Sequence, residues 1–179
     1  MFYKDESLAV FIDGSSTWSA ARAQGLTVDY TKLRAEFAKR GRLVRCYYYT
    51  PIDETGDFSS VRRLTDFLSY NGFTLRTRQT RETENSSGFR QALSYLHMQL
   101  AMDAMSLVDK IHHAVIMSGD GEMSPLIQEL QRRGMRVTVC STRSGAEGSM
   151  ISDEIRRVAD GFIDIGDLRE VISLERDAA

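Results

Sequence analysis

Short runs of β-branched and aromatic residues alternate with longer amphipathic stretches along the whole chain, and this alternation constrains the fold more than any other feature. Strands that alternate with helices usually pair as a parallel sheet, because each helix crosses back over the sheet before the next strand begins. The runs that predict strands are residues 8–13, 42–50, 73–79, 113–118, 136–142 and 161–166. We therefore predict an α/β fold, a three-layer sandwich around a central, mainly parallel sheet.

The stretches between these runs carry apolar residues at helical spacing. They predict a helix directly after the first strand and helices over residues 30–40, 59–70, 91–108, 124–133, 149–158 and 167–174. The polar segment 80–88 has no periodicity and predicts an exposed loop. Because no repeat or linker divides the 179 residues, we expect a single domain over residues 1–179.

Composition excludes several classes of protein. Apolar residues make up 42% and charged residues 27% of the chain, which is typical of a soluble globular protein. The net charge of −2 means that nucleic-acid binding would need a local basic patch. No apolar run approaches the roughly 18 residues of a spanning helix, and acids follow the N-terminus too soon for a signal peptide. We expect a cytoplasmic protein that does not contact membranes.

The two cysteines, Cys46 and Cys140, each lie inside an apolar run that predicts a strand. Free cysteine is among the most buried residue types, and cytoplasmic proteins rarely form disulfides. We therefore predict two buried free thiols. In "CYYYT", alternation along a strand predicts that Tyr48 packs on one face of the sheet and Tyr47 and Tyr49 on the other.

Carboxylates fall where two of the predicted strands end. "AVFIDGSS" places Asp13 at the end of the first strand, and "VIMSGDGEM" places Asp120 just past the end of another. Ligands of open α/β sheets bind outside the carboxyl ends of the strands, at the point where the strand order reverses. If these two strands are neighbours at that point, their carboxylates share one crevice.

Gathered carboxylates repel one another, so they are tolerated mainly around a cation. Oxygen ligands favour Mg²⁺ or Mn²⁺, and such an ion can support phosphodiester hydrolysis. Each acid also has a simpler interpretation. Asp13 and Asp120 precede helix starts, where Asp is a common N-cap, and Glu122 would favour the positive end of the next helix. Asp103 interrupts an apolar helix, where it is either solvated or directed into a cleft.

Four blocks, "VFIDGSS", "LHMQLAMDAM", "VIMSGDGEMSPLIQELQRRGMRVTV" and "SDEIRRVADGFIDI", together resemble the signature blocks of the NYN family, in its LabA-like branch. They follow in the family's order from residue 8 to about residue 172. The resemblance implies a PIN-like fold and a ribonuclease that depends on Mg²⁺ or Mn²⁺ and acts on RNA. It also implies that Asp13, Asp103 and Asp120 are the catalytic residues and metal ligands.

The sequence departs from the family pattern at positions that carry the chemistry. His97 stands at an acid position, Leu93 at a Lys position, Ser16 at an Asn position and Glu122 at a second Asp position. An imidazole in place of an acid removes a hard oxygen and a negative charge, which disfavours Mg²⁺ and suits Mn²⁺ or other transition metals.

Two hypotheses therefore remain open. In the first, the three acids still hold a metal, Glu122 and Ser16 are further candidates, and His97 is an added ligand or general base. In the second, the domain has lost hydrolysis and serves as a regulatory module that binds RNA or a protein partner. Self-association into a homo-oligomer is compatible with both hypotheses.

Arginines surround the polar segment that predicts a loop. Arginine clamps phosphates and stacks on bases, so these side chains are a candidate nucleic-acid patch. A solvated surface balanced by neighbouring acids is the simpler interpretation. The four arginines of the candidate patch are Arg76, Arg78, Arg81 and Arg90.

Other α/β classes lack their motifs here. "DGSSTWS" after the first strand does not contain the G-x-G-x-x-G of dinucleotide-binding domains. A haloacid-type phosphatase would have a second Asp two residues after Asp13, where this chain has Ser15. No Walker lysine motif and no nucleophile elbow occurs in the sequence.

Overall fold

A computed structural model describes residues 1–53, 60–80, 86–145 and 150–174. Within these residues, six strands form one sheet in the order β3-β2-β1-β4-β5-β6, and every neighbouring pair is parallel. The strands are β1 Ser7–Asp13, β2 Arg42–Asp53, β3 Thr74–Thr80, β4 His113–Met117, β5 Arg136–Ser141 and β6 Gly161–Asp164. The predicted parallel sheet is confirmed.

Helices cover both faces of this sheet. They are α1 Gly14–Ala23, α2 Tyr30–Arg40, α3 Ser60–Tyr70, α4 Ser86–Met105, α5 Ser124–Arg132, α6 Asp153–Val158 and α7 Arg169–Ile172, with 3₁₀ turns over Gly121–Met123 and Ile165–Leu168. Among the described residues, no helix is both long and apolar enough to cross a membrane.

Two apolar cores lie on opposite faces of the sheet. Phe11 of β1 packs with side chains of α4, α5 and α6, whereas Ile12, the next residue, packs with side chains of α1, α2, α3 and α7. Both side chains are fully buried, and burial of each stabilises the fold by about 1.5–3 kcal/mol. The three-layer α/β sandwich is therefore confirmed.

The central strands β1 and β4 are buried along their entire length, because helices cover them on both faces. The tyrosines of β2 alternate as predicted, with Tyr48 in one core and Tyr47 and Tyr49 in the other. Cys46 and Cys140 are buried free thiols, as predicted, and burial raises the pKa of each to about 12.

The order of the strands reverses between β1 and β4. From β1 the chain builds outward through β2 to β3, and it then returns through α4 to place β4 on the other side of β1. Ile12 of β1 pairs with Met117 of β4, so the start of α1 and the turn after β4 lie side by side. The two strands that carry Asp13 and Asp120 are neighbours, as predicted.

Several boundaries differ from the prediction. Helix α4 runs from Ser86 to Met105, whereas the prediction was residues 91–108. The first turn of α4 therefore includes residues 86–88 of the expected loop, because polar residues are common in the first turn of a helix as well as in loops. Strand β2 runs to Asp53 because β3 continues to pair with it beyond Thr50. Helices α6 and α7 are shorter than predicted at 153–158 and 169–172. Residues 81–85 of the expected loop lie outside the described residues.

Candidate active site

A crevice opens at the carboxyl ends of β1 and β4, where the strand order reverses. Asp13, the first two turns of α1, the turn after β4 and one face of α4 line it, together with Met150 and Ser152 before α6. Five of the six candidate site residues lie in or at the mouth of this crevice: Asp13, Ser16, His97, Asp120 and Glu122. Leu93, which stands at the family's Lys position, also lines the crevice.

Asp13 ends β1, and both of its carboxylate oxygens are engaged. Oδ1 accepts a hydrogen bond from the backbone N–H of Ser16 at 3.1 Å, which makes Asp13 the N-cap of α1. Oδ2 accepts a bond from the hydroxyl of Ser118 at 3.2 Å and lies 3.0 Å from Nε2 of His97. Its simpler interpretation as a cap is therefore correct, and the same side chain also holds the histidine.

His97 reaches the crevice from the middle of α4, and its side chain is only 11% exposed. Nε2 contacts Asp13, whereas the buried Nδ1 has no hydrogen-bond partner among the described residues. The nearest carboxylate oxygens to Nδ1 belong to Glu122 at 3.8 Å and Asp120 at 3.9 Å. Burial lowers the pKa of His97, but the hydrogen bond and charge of Asp13, with the charges of Asp120 and Glu122, outweigh it and raise the pKa above its ordinary value.

The loop after β4 presents Asp120 and Glu122 to solvent. Oδ1 of Asp120 accepts a hydrogen bond from the backbone N–H of Glu122 at 3.0 Å, which begins the 3₁₀ turn Gly121–Met123. The backbone N–H of Gly119 donates to Oγ of Ser16 at 2.8 Å and joins this loop to the start of α1. A Cβ at Gly119 would lie 2.9 Å from Oγ of Ser141 and 3.1 Å from the backbone oxygen of Met150, so glycine favours the close approach of this loop to both.

Three side chains form a cluster suited to a divalent cation. One ligand atom each from His97, Asp120 and Glu122 lies within 4.8 Å of the other two. Bonds of about 2.0–2.2 Å to one ion place ligand atoms roughly 3–3.5 Å apart, so small rotations of the exposed carboxylates close the site. The buried, unpartnered Nδ1 at the centre of the cluster is an independent reason why these residues fit such an ion.

Asp103, the third acid of the predicted set, is not among the residues that line the crevice. Its two carboxylate oxygens accept hydrogen bonds from Nε and a terminal nitrogen of Arg76, both at 2.9 Å, and Oδ2 also accepts one from the hydroxyl of Tyr49 at 3.0 Å. Asp103 follows His97 by six residues, which is about 9 Å along the axis of α4. Arg76 already balances its charge.

The candidate arginine patch is divided between different environments. Arg76 binds Asp103, and this hydrogen bond raises the pKa of Arg76. The guanidinium of Arg78 lies 4.8 Å from the ring centre of Tyr95, and both side chains are exposed. Arg90 is exposed near the start of α4, while Arg81 lies outside the described residues.

Sequence reasoning missed two side chains that the structure brings to these places. Ser118 donates to Asp13 and also accepts the backbone N–H of Asp120 at 3.2 Å, so it links the two acids. The signal for Ser118 was its position directly after β4, beside Asp13 once the two strands pair. Tyr95 carries the stacked Arg78, and only the rotation of α4 shows that the two meet.

A parallel sheet with acids gathered where its strand order reverses defines a PIN-like α/β protein. The NYN domain model matches residues 7–168. The chain belongs to the NYN domain family, a PIN-like nuclease family, in its LabA-like branch.

The similar proteins cover nearly the whole chain. "Low amplitude and bright protein LabA" of Synechococcus elongatus is 30% identical over 178 residues, which cover 96% of this chain and 90% of that protein. The crystal structure of VPA0982, a protein of unknown function from Vibrio parahaemolyticus RIMD 2210633, has a TM-score of 0.72 and 19% sequence identity, and the match covers 96% of this chain and 99% of that chain. The structural match supports the fold.

Proposed function

We propose that this protein binds a divalent cation in the crevice and hydrolyses phosphodiester bonds of RNA there. The observation that carries the proposal is the cluster of His97, Asp120 and Glu122 around a buried ring nitrogen without a partner among the described residues. Membership of a nuclease family supports phosphodiester hydrolysis as the reaction class. The family resemblance implies Mg²⁺ or Mn²⁺ as the divalent cation, and the assay below tests both ions.

The charge of the crevice makes the cation necessary for such a substrate. Asp13, Asp120 and Glu122 would repel a phosphodiester unless positive charge lies between them. A bound divalent ion lowers the pKa of a water molecule and stabilises the charge that grows on the phosphate. The protein's own groups hold that ion, keep its ligands oriented and leave the solvent side open, since the side chain of Asp120 is 41% exposed and that of Glu122 is 72% exposed.

RNA contacts are proposed along the N-terminal half of α4. Phe89 lines the crevice and is 45% exposed, so its ring is available to a base beside the cleavage site. Arg78 and Tyr95 line a second, smaller pocket on the adjacent face of α4. Aromatic rings and stacked arginines bind single-stranded bases with little sequence preference. The net charge of −2 makes such local contacts more important than long-range attraction.

A second candidate function is a module that binds RNA or a protein partner without hydrolysis. The observation that favours it is the raised pKa of His97, which Asp13 and the other two carboxylates cause despite burial. A protonated imidazole would balance part of the acidic charge that a metal ion balances in a nuclease.

The test is a cleavage and binding assay on the same samples. Purified protein is incubated with labelled single-stranded and structured RNAs in Mg²⁺, Mn²⁺ or chelator, beside the Asp120→Asn variant. Asparagine caps a helix as well as aspartate does, so this variant should remain folded. Cleavage that needs the metal and disappears in the variant supports hydrolysis. Binding without cleavage supports the second candidate. If the protein neither cleaves nor binds RNA, both RNA functions are contradicted, and protein partners, including a second copy of this chain, become the ligands to test.

A further inference from the structure

We infer that the crevice is a carboxylate–histidine–metal site that selects a divalent transition-metal ion over Mg²⁺. His97, through Nδ1, binds the ion together with Asp120 and Glu122. Asp13 is a positioning residue for His97 and does not bind the ion. This inference rests on the metal site of the proposed function and names the ion's chemical class and the role of each residue.

Asp13 is engaged in a way that suits a positioning residue. Its two oxygens already take part in three hydrogen bonds, with Ser16, Ser118 and His97, and its side chain is only 6% exposed. A carboxylate only accepts hydrogen bonds, so Nε2 of His97 must carry the proton that it donates. In the neutral ring, Nδ1 then has a free lone pair. Carboxylates that hold a ligating histidine in this way fix its tautomer and raise its basicity.

The carboxylates of Glu122 and Asp120 are the acidic groups nearest to Nδ1 of His97. Nδ1 is buried, and it lies 3.8 Å from Oε2 of Glu122 and 3.9 Å from Oδ2 of Asp120. These distances are too long for hydrogen bonds and close to the spacing of atoms that share one ion. A buried polar atom without a partner is destabilising, and a bound ion removes that cost.

The donor set determines which ion is preferred. Mg²⁺ requires near-ideal octahedral geometry and is bound mainly through oxygen and water, whereas imidazole nitrogen suits transition ions such as Zn²⁺. The third ligand position is taken here by Nδ1 of His97, and both carboxylate oxygens of Asp13 are already engaged in hydrogen bonds. Mn²⁺, Co²⁺ and Zn²⁺ are therefore the class of ion that fits.

The first test measures metal binding without RNA. Isothermal titration calorimetry of the wild-type protein with Mg²⁺, Mn²⁺ and Zn²⁺, each alone, should give at least about 100-fold tighter binding of Zn²⁺ than of Mg²⁺. The His97→Asp variant replaces nitrogen by oxygen and should reduce this ratio at least about tenfold. His112→Gln, at an exposed histidine outside the crevice, is the matched control. Equal affinity for Mg²⁺ and Zn²⁺, or an unchanged ratio in His97→Asp, overturns the inference.

The second test identifies the coordinating atom in the wild-type protein, so it does not depend on whether a variant folds. Nitrogen-15 NMR resolves the ring nitrogens of the three histidines. On addition of Zn²⁺, Nδ1 of His97 should shift, and Nε2 should keep its proton. His112 and His113 serve as internal controls. Coordination through Nε2, or an unchanged His97 spectrum, overturns the inference.

The third test separates positioning from ligation. Asp13→Asn retains the helix cap but places an amide N–H₂ where Oδ2 accepted the proton of Nε2. The ring should change to the tautomer that carries its proton on Nδ1, and metal affinity should fall about 10–100-fold. Unchanged affinity or an unchanged tautomer contradicts the positioning role.

These outcomes are distinct from failure of the proposed function. RNA cleavage that is as fast in Mg²⁺ as in Mn²⁺, without metal at Nδ1, would support the nuclease and overturn this inference. Zn²⁺ bound at Nδ1 in a protein that cleaves no RNA would support the inference and contradict the nuclease.

Discussion

His113 is buried and His97 is largely buried, yet the two histidines lie at opposite ends of the sheet and have oppositely charged neighbours. His113 begins β4, where its Nε2 is 2.7 Å from Oγ1 of Thr138 and its Nδ1 is 3.4 Å from a guanidinium nitrogen of Arg136. Burial and Arg136 lower the pKa of His113 to about 4. Burial also acts to lower the pKa of His97, but Asp13 and the crevice acids raise it.

The difference shows that neighbouring charges, more than burial, decide what a buried histidine can do. Both ring nitrogens of His113 have partners, and the ring of Phe2 stacks on it with 4.6 Å between the ring centres. His113 therefore has no ring nitrogen left to bind a ligand. One ring nitrogen of His97 has no partner among the described residues, and exposed acids face it. Asp103 is on the same helix as His97, but it resembles His113 in that its polar atoms are paired, here with Arg76.

The largest expected effect is on RNA cleavage, and it distinguishes Asp120 in the crevice from the Asp103 cluster, which consists of Asp103, Arg76 and Tyr49. Asp120→Asn should reduce metal-dependent RNA cleavage by about 100-fold or more, because it removes a ligand charge from the metal site. Asp103→Asn removes an equal charge outside the crevice and should leave the rate within about threefold. Initial rates at saturating metal give the comparison. Similar losses in both variants would contradict the separation of the two acids.

The next effect is the loss of stability in acid that His113 causes. Its folded pKa of about 4 is below the ordinary 6.5, so the unfolded chain takes up the proton first as pH falls. The neutral His113 therefore contributes to the free energy of unfolding fully above pH 6.5, and this contribution is lost as the pH falls towards 4. At 1.36 kcal/mol per pKa unit, the total loss is about 3 kcal/mol. In urea unfolding between pH 7.5 and pH 4.5, His113→Gln should therefore lose less stability than the wild-type protein.

His97→Gln is the matched variant for this measurement, carried out in chelator. Because the folded pKa of His97 is raised, its stabilising contribution is present below pH 6.5 and is lost as pH rises through the folded value. The two variants should thus change the pH dependence in opposite directions. Changes of the same sign would refute the contrast between the two histidines.

A smaller effect concerns the stability that the Asp103 cluster provides. Asp103→Asn removes the charge that Arg76 binds and should lower the free energy of unfolding by about 1–2 kcal/mol, less than for a fully buried pair. The reduction reflects solvent screening, since the side chain of Arg76 is 36% exposed. Asp120→Asn should change it by less than about 0.5 kcal/mol. Urea titrations of both variants compare the two, and equal destabilisation would contradict the assignment.

The smallest effect is on RNA affinity. Tyr95→Ala removes the ring under Arg78 and should weaken binding of single-stranded RNA about fivefold, which is the lower end of the range for loss of one stacking contact. Tyr70→Ala, at an 89% exposed tyrosine at the end of α3, is the control and should leave affinity unchanged. Fluorescence anisotropy with a labelled oligonucleotide gives both constants. Equal weakening by both variants would exclude a specific role for Tyr95.

The sequence was sufficient to predict the sheet and its switch point, because apolar runs and their alternation with helices are local signals. It also located Asp13, the last residue of β1, and Asp120, in the turn just past the end of β4, because both acids lie at the carboxyl end of a central strand. It could not place Asp103, because His97 and Asp103 differ by 600° of helix rotation at about 100° per residue. Which of them faces the crevice depends on how α4 packs on the sheet. The partner of Asp103, Arg76, comes from an edge strand 27 residues earlier.

The hydrogen bond from Gly119 to Ser16 has a consequence for the kinetics of ligand exchange. Together with the bond from Ser118 to Asp13, it joins the turn after β4 to the start of α1 before any ligand binds. Much of the entropy cost of ordering the crevice is therefore met during folding. Glu122, at 72% exposure, is the least restrained member of the cluster. The rate at which its carboxylate rotates away from the site should therefore set the dissociation rate of a bound cation.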